Sequence, residues 1–468
     1  MPVTTGRIYV GSVLVASGES GGGTTPVLVD EWVRPATWPA IPVVLPSEQK
    51  IVGLHAVHPG DGVGTGGNFF AFNGQGAYTI DFGDGNIQNF ASNTQANYSF
   101  NFNNTALAGT NKPVTFTAAS STVNFTGHGF NAGTAVPFYN IVSTTGLIEG
   151  RRYYVVNPTA NTFQVSATIG GSPVILTNDG SATLLPYKIA VVTITPQAGQ
   201  NLTVINLQAR NATGGNQPYS SGWLDLAISV PSVTGANFTL GGTQVGHRLL
   251  ERANIIACGV LTSLANLYNN TPSLQSVSQF PSSISSVTTM LNMYAGTGLK
   301  RFPAYIGPAT ALQNTNSQFL GAVNAEEFPE LLGTTSAWTI ANNMYAGCQR
   351  AIRIPAHGNS TQFVTNMNGI ISNMQSLQAA SLNMSGVNSS GNGNIAGSSN
   401  SIKRLQITGM RFSFSVSDRQ LSAVALNEIF TGLPVVTGQT ITVSNNFGIG
   451  EAGYNPSIAT AKGWTVTS

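Results

Sequence analysis

Charge is scarce in this chain. Of 468 residues, 19 are Lys or Arg and 17 are Asp or Glu, 8% in all, where an average globular chain has roughly 25%. The net charge of +2 gives no field of the kind that recruits nucleic acid or an anionic membrane surface. Carboxylate chemistry has few candidates. The adjacent Glu326 and Glu327 point opposite ways on an extended segment, so they cannot flank one bond as a glycosidase pair does. Cysteine is nearly absent: Cys258 and Cys348 lie 90 residues apart and read as two buried thiols, with a disulfide as the alternative. No apolar run approaches the ~20 residues of a membrane-spanning helix. The N-terminal "MPVTTGRIYVGSVLVASGES" has no basic segment ahead of its apolar run and is not read as a secretory signal. Walker loop, G-x-S-x-G and Cys-x-x-Cys motifs are all missing, which leaves no familiar route to phosphoryl or acyl transfer. The expectation is a protein that is not an enzyme and needs no cofactor.

What remains is glycine (53 residues), neutral polar side chains and a 41% hydrophobic fraction, too apolar for a disordered chain. Length allows two to four domains. Residues 1–30 read as an arm, with a strand candidate from Arg7 to Ala16 and the flexible "SGESGGGTT" after it. In the next stretch, prolines at 35, 39, 42 and 46 exclude a helix and favour extended segments. Trp32 and Trp38 in "EWVRPATWP" are candidate anchors, able to bury into a partner. Residues 68–82, "NFFAFNGQGAYTIDF", alternate as two strands around a glycine turn.

"YTIDFGDGN" then places Asp81 and Asp84 among Gly83 and Gly85. Two carboxylates in one turn are weak Ca²⁺ candidates. The favoured reading is a tight turn, in which glycines supply positive φ and the Asp side chains bond backbone amides. His55 and His58 near Asp61, and His128 in "GHGF", are read as strand and turn residues, since no third ligand lies nearby in sequence. The basic pairs Arg151–Arg152 and Lys403–Arg404 are read as solvated.

The run Asp81, Phe82, Gly83, Asp84, Gly85, a strand "NIQNF" and a later Tyr98 resembles the polycystic-kidney-disease (PKD) type of immunoglobulin-like β-sandwich. That family's His before the aromatic is absent here, where Gln95-Ala96-Asn97 stands. Its final strand is displaced to "YKIAVVTITPQ", Tyr187 to Gln197. A block at 112–185 therefore interrupts the sandwich, at the kind of loop tip that tolerates insertion. Its sequence, from "GHGF" through "RRYYVVNPTANTFQVS" to "NDG", resembles a small β domain of structural and tail-fibre proteins of tailed bacteriophages.

Beyond 222 the chain repeats. Phe302-Pro303, Phe328-Pro329 and Ile354-Pro355 are spaced by 26 residues, and "NMYAG" at 292–296 recurs at 343–347. This period implies a solenoid of the leucine-rich-repeat kind, one short strand and one helical or irregular segment per unit. "NMYAGC…IRIP" resembles the BspA-like surface type of that repeat, and the terminal "ATAKGW" its end cap. Tyr268, Tyr294 and Tyr345 take equivalent positions, which makes them an internal stack.

The expected fold is mainly β and multidomain: an arm (1–30), a split PKD-like sandwich (31–111 and 186–210), an inserted small β domain (112–185), a solenoid (222–390) and a final repeat with an α/β cap (391–468). These resemblances imply a non-enzymatic virion protein of a tailed bacteriophage, tail- or fibre-associated and facing outward. Its partners would be other virion proteins of tail, neck or capsid, a host-surface glycan or protein, and further copies of itself, without nucleic acid or membrane insertion. The alternatives are a capsid decoration protein and a bacterial cell-surface adhesin.

Overall fold

A computed structural model describes residues 32–468 apart from 36–37, 58–67, 103, 108–111, 150, 185–186, 210–221, 243–246 and 356–359, with two short strands nearer the N-terminus. Those strands, β1 (Ile8–Val10) and β2 (Val13–Val15), pair antiparallel inside a separate unit, Met1–Glu31. The rest of the expected arm lies outside the described residues, as do His58 and Asp61.

The second unit, Trp32–Ser468, begins with β3 (Lys50–Val57), β4 (Phe69–Gln75), β5 (Tyr78–Asp81), β6 (Ile87–Phe90) and β7 (Gln95–Ser99). Six strands then close a barrel on themselves: β8 (Lys112–Thr117), β9 (Thr122–Asn124), β10 (Ala135–Val142), β11 (Arg152–Val156), β12 (Thr162–Ser166) and β13 (Gly180–Leu184). After the barrel come β14 (Lys188–Pro196), β15 (Val204–Asn206), β16 (Trp223–Val230), β17 (Phe238–Thr239), β18 (Arg252–Cys258) and β19 (Ser276–Val277). Two sheets result outside the barrel, ordered β19-β18-β16-β3-β14-β5-β6 and β17-β15-β4-β7.

The apolar alternation of these strands explains their placement. On β14, Ala190, Val192 and Ile194 enter the core between the two sheets, where they meet Phe70, Phe72, Tyr78 and Trp223. Ile189 turns to the opposite face with Leu54, Ala56 and Leu224 and shares a second core with the barrel. Both faces of the sheet are therefore covered, which is why β3 reads as an almost unbroken apolar run. Gly53 is required within it, because a Cβ there would lie 2.5 Å from the Trp223 ring. The strand after the barrel enters the middle of the sheet: Ile194 of β14 faces Ile51 on one side and Ile80 on the other.

At β16 the sheet changes character. β16 runs antiparallel to β3, but β18 runs parallel to β16 and β19 parallel to β18. The parallel pairing continues as single bridges, Ser263 to Thr289 to Asn314 to Ile340 to Asn366. A solenoid-like stack thus grows directly out of the two-sheet module. One hydrophobic core runs from Ile51 to Trp464 without a break.

Within each coil of the stack, two backbone positions four residues apart take positive φ. The first falls at Asn266, Asn292, Ser317, Asn343 and Gly369, and the second at Asn270, Gly296, Gly321, Gly347 and Asn373. Asn and Gly are the residues that reach this conformation at least cost. The curved segment between them sends alternate amides forward: Asn292, Tyr294 and Gly296 donate to the carbonyls of Asn316, Gln318 and Leu320 at 2.7–3.0 Å. Ser317, Phe319 and Gly321 repeat the pattern on Asn342, Met344 and Ala346. Among the described residues of these coils irregular backbone predominates, the exception being a short 3-10 turn at Ser360–Phe363. Pro303 and Pro329 are buried and Pro355 half-buried at the bends that follow.

The stack closes with β20 (Ala379–Asn383) parallel to β21 (Arg404–Thr408), then β22 (Phe414–Ser415), α1 (Ala423–Gly432), β23 (Gln439–Thr442), α2 (Ser457–Thr460) and β24 (Trp464–Thr467). β22, β23 and β24 form a small parallel sheet. Ser422 caps α1 by accepting from the Ala425 amide, and the helix buries Leu426, Ile429 and Phe430.

His247 carries a pH consequence of this packing. Its ring is fully buried, Nε2–H donates to the Leu240 carbonyl at 2.6 Å, and burial pulls the imidazole down from 6.5 to about 4. The unfolded chain binds the proton more readily, so the stability is complete above 6.5 and is lost as pH falls from there toward 4. The expected loss is roughly 3 kcal/mol. Urea unfolding at neutral and acid pH should show this slope, and His247→Gln should remove it.

Candidate functional site

The acidic turn is built from the hairpin of β5 and β6. The Phe82 amide closes it on the Asn86 carbonyl at 3.0 Å. Gly83 sits at φ +71°, and a Cβ there would fall 2.4 Å from the Val191 carbonyl oxygen. Asp81 Oδ1 accepts from the Gly83 amide at 2.9 Å. Asp84 is buried, and its Oδ1 accepts from both nitrogens of Asn86 while its Oδ2 accepts from the Tyr98 hydroxyl at 2.6 Å. The Tyr98 ring stacks on Phe82 at 3.8 Å. Burial and the Asp84 carboxylate together hold the Tyr98 phenol well above its ordinary range. Both oxygens of Asp84 and Oδ1 of Asp81 therefore accept from the protein's own donors.

Tyr98→Phe keeps the ring stacking and deletes the hydroxyl that faces the buried carboxylate. The expected loss is about 1.5–3 kcal/mol, since the bond is made to a charged group. Urea unfolding checks it, and a loss under about 0.5 kcal/mol would show that Asp84 does not depend on this donor.

The two candidate anchors lie against the chain's own core. Trp38 is buried in the barrel-side core and Trp32 packs beside it, with ring centroids 6.1 Å apart. Trp32 Nε1 donates to Glu251 at 3.1 Å, and the Arg252 guanidinium lies 5.4 Å over its ring. Arg34, which lies between them in sequence, donates through Nε to the buried Asp225 at 3.3 Å, through Nη1 to the Trp38 carbonyl, and through Nη2 to the Pro39 carbonyl. The segment is a latch over the seven-stranded sheet, with Trp38 buried there and Trp32 and Arg34 half-buried.

His55 is fully buried among Phe70, Phe100 and Trp223, and its Nε2 accepts from the Gly222 amide at 2.9 Å. His128 accepts from the Phe130 amide in the barrel. Among the described residues no three His, Cys, Asp or Glu side chains converge as a metal site. Cys258 and Cys348 are free thiols; burial pushes both up, and Cys348 donates to the Phe319 carbonyl. Arg404, one of the basic residues read as solvated, forms a two-pronged pair with Glu428 at 3.1 Å.

Tyr268, Tyr294 and Tyr345 stand in one column. Phe319 occupies the rung between the last two, with centroid steps of 5.4, 5.5 and 5.5 Å. Phe302 and Phe328 form a second column beside it, 5.8 Å apart. Spacing alone missed Phe319, because its coil is one residue shorter and reads "SQFLG" where its neighbours read "NMYAG".

Sequence reasoning also missed a polar cavity of about 480 Å³ between residues 393–400 and 415–419. Arg419 forms one wall, only 6% exposed. Its Nη1 donates to Asn400 Oδ1 at 2.8 Å and to the Asp418 carbonyl at 3.1 Å, and its Nη2 donates to the Gly397 carbonyl. Among the described residues its buried Nε–H has no acceptor. Burial pulls the guanidinium down, with the Asp418 charge opposing. Asp418 is itself held by Asn445 at 2.8 Å. No local motif announces this site, since its residues come from two successive coils.

The chain matches no protein-family model, no curated protein and no solved structure.

Proposed function

We propose that this chain is a non-enzymatic structural protein of a tailed-bacteriophage virion, tail- or fibre-associated and facing outward. In this reading the two-sheet module is of the PKD, immunoglobulin-like type, the barrel is the tail-fibre-type insert, and the stack is a BspA-like leucine-rich repeat. Residues ahead of the latch hold the chain to the particle, and the stack is presented for assembly contacts or adhesion to the host surface.

The observation that supports it best is the single core running from the two-sheet module through the last coil. A module that shares its sheet with a repeat stack has no hinge at the junction, and such a body suits a rigid projection. The low charge supports the same reading, because neutral polar surfaces meet in an assembly without desolvating ions. The turn at Asp81–Gly85, with Tyr98 stacked on Phe82, supports the PKD assignment.

Mass spectrometry and cryo-EM of purified particles test the proposal. The chain is expected in virions at stoichiometric copy number, and its absence from them would overturn the reading. Because Trp32 and Trp38 belong to the latch, the anchor is sought in residues 1–31. Deleting them should abolish incorporation while leaving the far-UV CD spectrum and thermal transition of the remainder in place. Normal incorporation would place the anchor elsewhere.

A further inference from the structure

We propose that a seam of opposite charges along the stack fixes which coil meets which, and so rejects assemblies in which two chains exchange coils out of step. The seam follows two adjacent positions per coil. There the Glu326 and Glu327 amides both donate to the Lys300 carbonyl, and those of Lys403 and Arg404 both donate to Gln378. Over seven coils these positions are 251–252, 275–276, 300–301, 326–327, 352–353, 378–379 and 403–404. Nine of these fourteen residues are Glu, Lys or Arg, in a chain where 8% of residues are charged. Their signs are ordered. Lys300 and Arg301 are followed one coil on by Glu326 and Glu327, and then by Arg353. The neutral coil at Gln378 and Ala379 separates Arg353 from Lys403 and Arg404. Arg301 lies 3.8 Å from Glu327, and Arg404 pairs with Glu428 at 3.1 Å. Neighbouring coils therefore never set like charges against each other along the seam.

Native stability is not the main effect of this order. Arg301 and Glu327 are 38% and 58% exposed at their side chains, and exposed pairs contribute little. Discrimination is what the core lacks. "NMYAG" stands at 292–296 and again at 343–347, two coils on, so Tyr345 of a second chain fits against Tyr294 where Phe319 now stacks. Backbone amides are alike in every coil. Two chains that exchange coils and slip by one therefore keep apolar and ladder contacts, and swapped assembly is a characteristic failure of repeat proteins. The slip spoils the charges instead. At one junction it sets Lys300 and Arg301 against Arg353 of the other chain, and at the reciprocal junction it sets Glu326 and Glu327 against their own copies. Like charges on facing strand positions are destabilising, and here both junctions carry them.

Refolding of the full chain from urea at high protein concentration, read by size-exclusion chromatography with light scattering, tests this. Arg301→Gln with Glu327→Gln and Arg353→Gln neutralises the centre of the seam. Lys112→Gln with Glu149→Gln and Arg151→Gln removes the same number of acids and bases from the barrel. The seam variant should give at least threefold more soluble oligomer than the unsubstituted chain, and the barrel variant should give no more than that chain. Monomer recovered from the seam variant should keep the original far-UV CD spectrum. At about 1 M salt, where the screening length is about 3 Å, the unsubstituted chain should rise toward the oligomer yield of the seam variant. Equal yields from the seam variant and the unsubstituted chain, or an equal rise in both variants, would overturn the proposal. If the seam variant does not fold, a salt-independent yield from the unsubstituted chain overturns it.

Discussion

Phe319→Ala is expected to destabilise the chain by about 3–5 kcal/mol, the range for deleting a buried aromatic side chain. Phe319 is 1% exposed and touches four rings. Tyr294 and Tyr345 stack on its two faces at 5.5 Å each, while Phe302 and Phe328 meet it edge-on at 4.8 and 5.0 Å. Paired rings of this kind add about 0.5–1.5 kcal/mol beyond area burial. Collapse cannot refill the space, because the rungs above and below are held by the amide ladder through Ser317, Phe319 and Gly321. The loss should therefore fall in the upper part of the range. Equilibrium urea unfolding measures it, and a loss under about 1 kcal/mol would show that the columns do not carry the stack.

The latch supplies the second large effect. Arg34→Met should cost about 3 kcal/mol, because it strands Asp225, 2% exposed at its side chain, without its hydrogen-bonded partner. Arg34 is itself partly exposed, which places the figure at the lower end of the range for broken buried pairs. Replacing both residues, as Arg34→Met with Asp225→Leu, should cost less than the sum of the two single changes, since the buried carboxylate is then removed together with its hydrogen-bonded cation. Strict additivity would contradict this account of the pair. The pH dependence has a definite sign. Burial raises the Asp225 carboxyl, with Arg252 and then Arg34 opposing. Removing Arg34 raises it further, so the penalty is largest at neutral pH and shrinks as acid protonates the carboxylate.

Local chemistry was the legible part of this fold. The turn at Asp81–Gly85, the strand at Lys188–Pro196 beyond the barrel, and the interval of 26 between Pro303 and Pro329 all rest on neighbouring residues or a fixed period. What stayed hidden depends on residues far apart in the chain. Arg34 and Asp225 are 191 positions apart, and nothing near Trp32 or Trp38 in the sequence shows that they pack on the chain's own sheet. Phe319 was lost to a coil one residue short. Arg419 was lost because its cavity needs two coils in register. The growth of the stack out of β16 was hidden as well, since an antiparallel and a parallel neighbour leave the same apolar pattern on a strand buried on both faces.

That shared sheet is the central claim, and hydrogen exchange in moderate urea, read by mass spectrometry, tests it most directly. If module and stack are one body, amides of Leu226–Ile228 on β16, Ile255 on β18 and the rungs at Tyr294 and Tyr345 open in one event with the same free energy and the same dependence on urea. Two distinct opening free energies, with the stack exchanging while β16 stays protected, would contradict it.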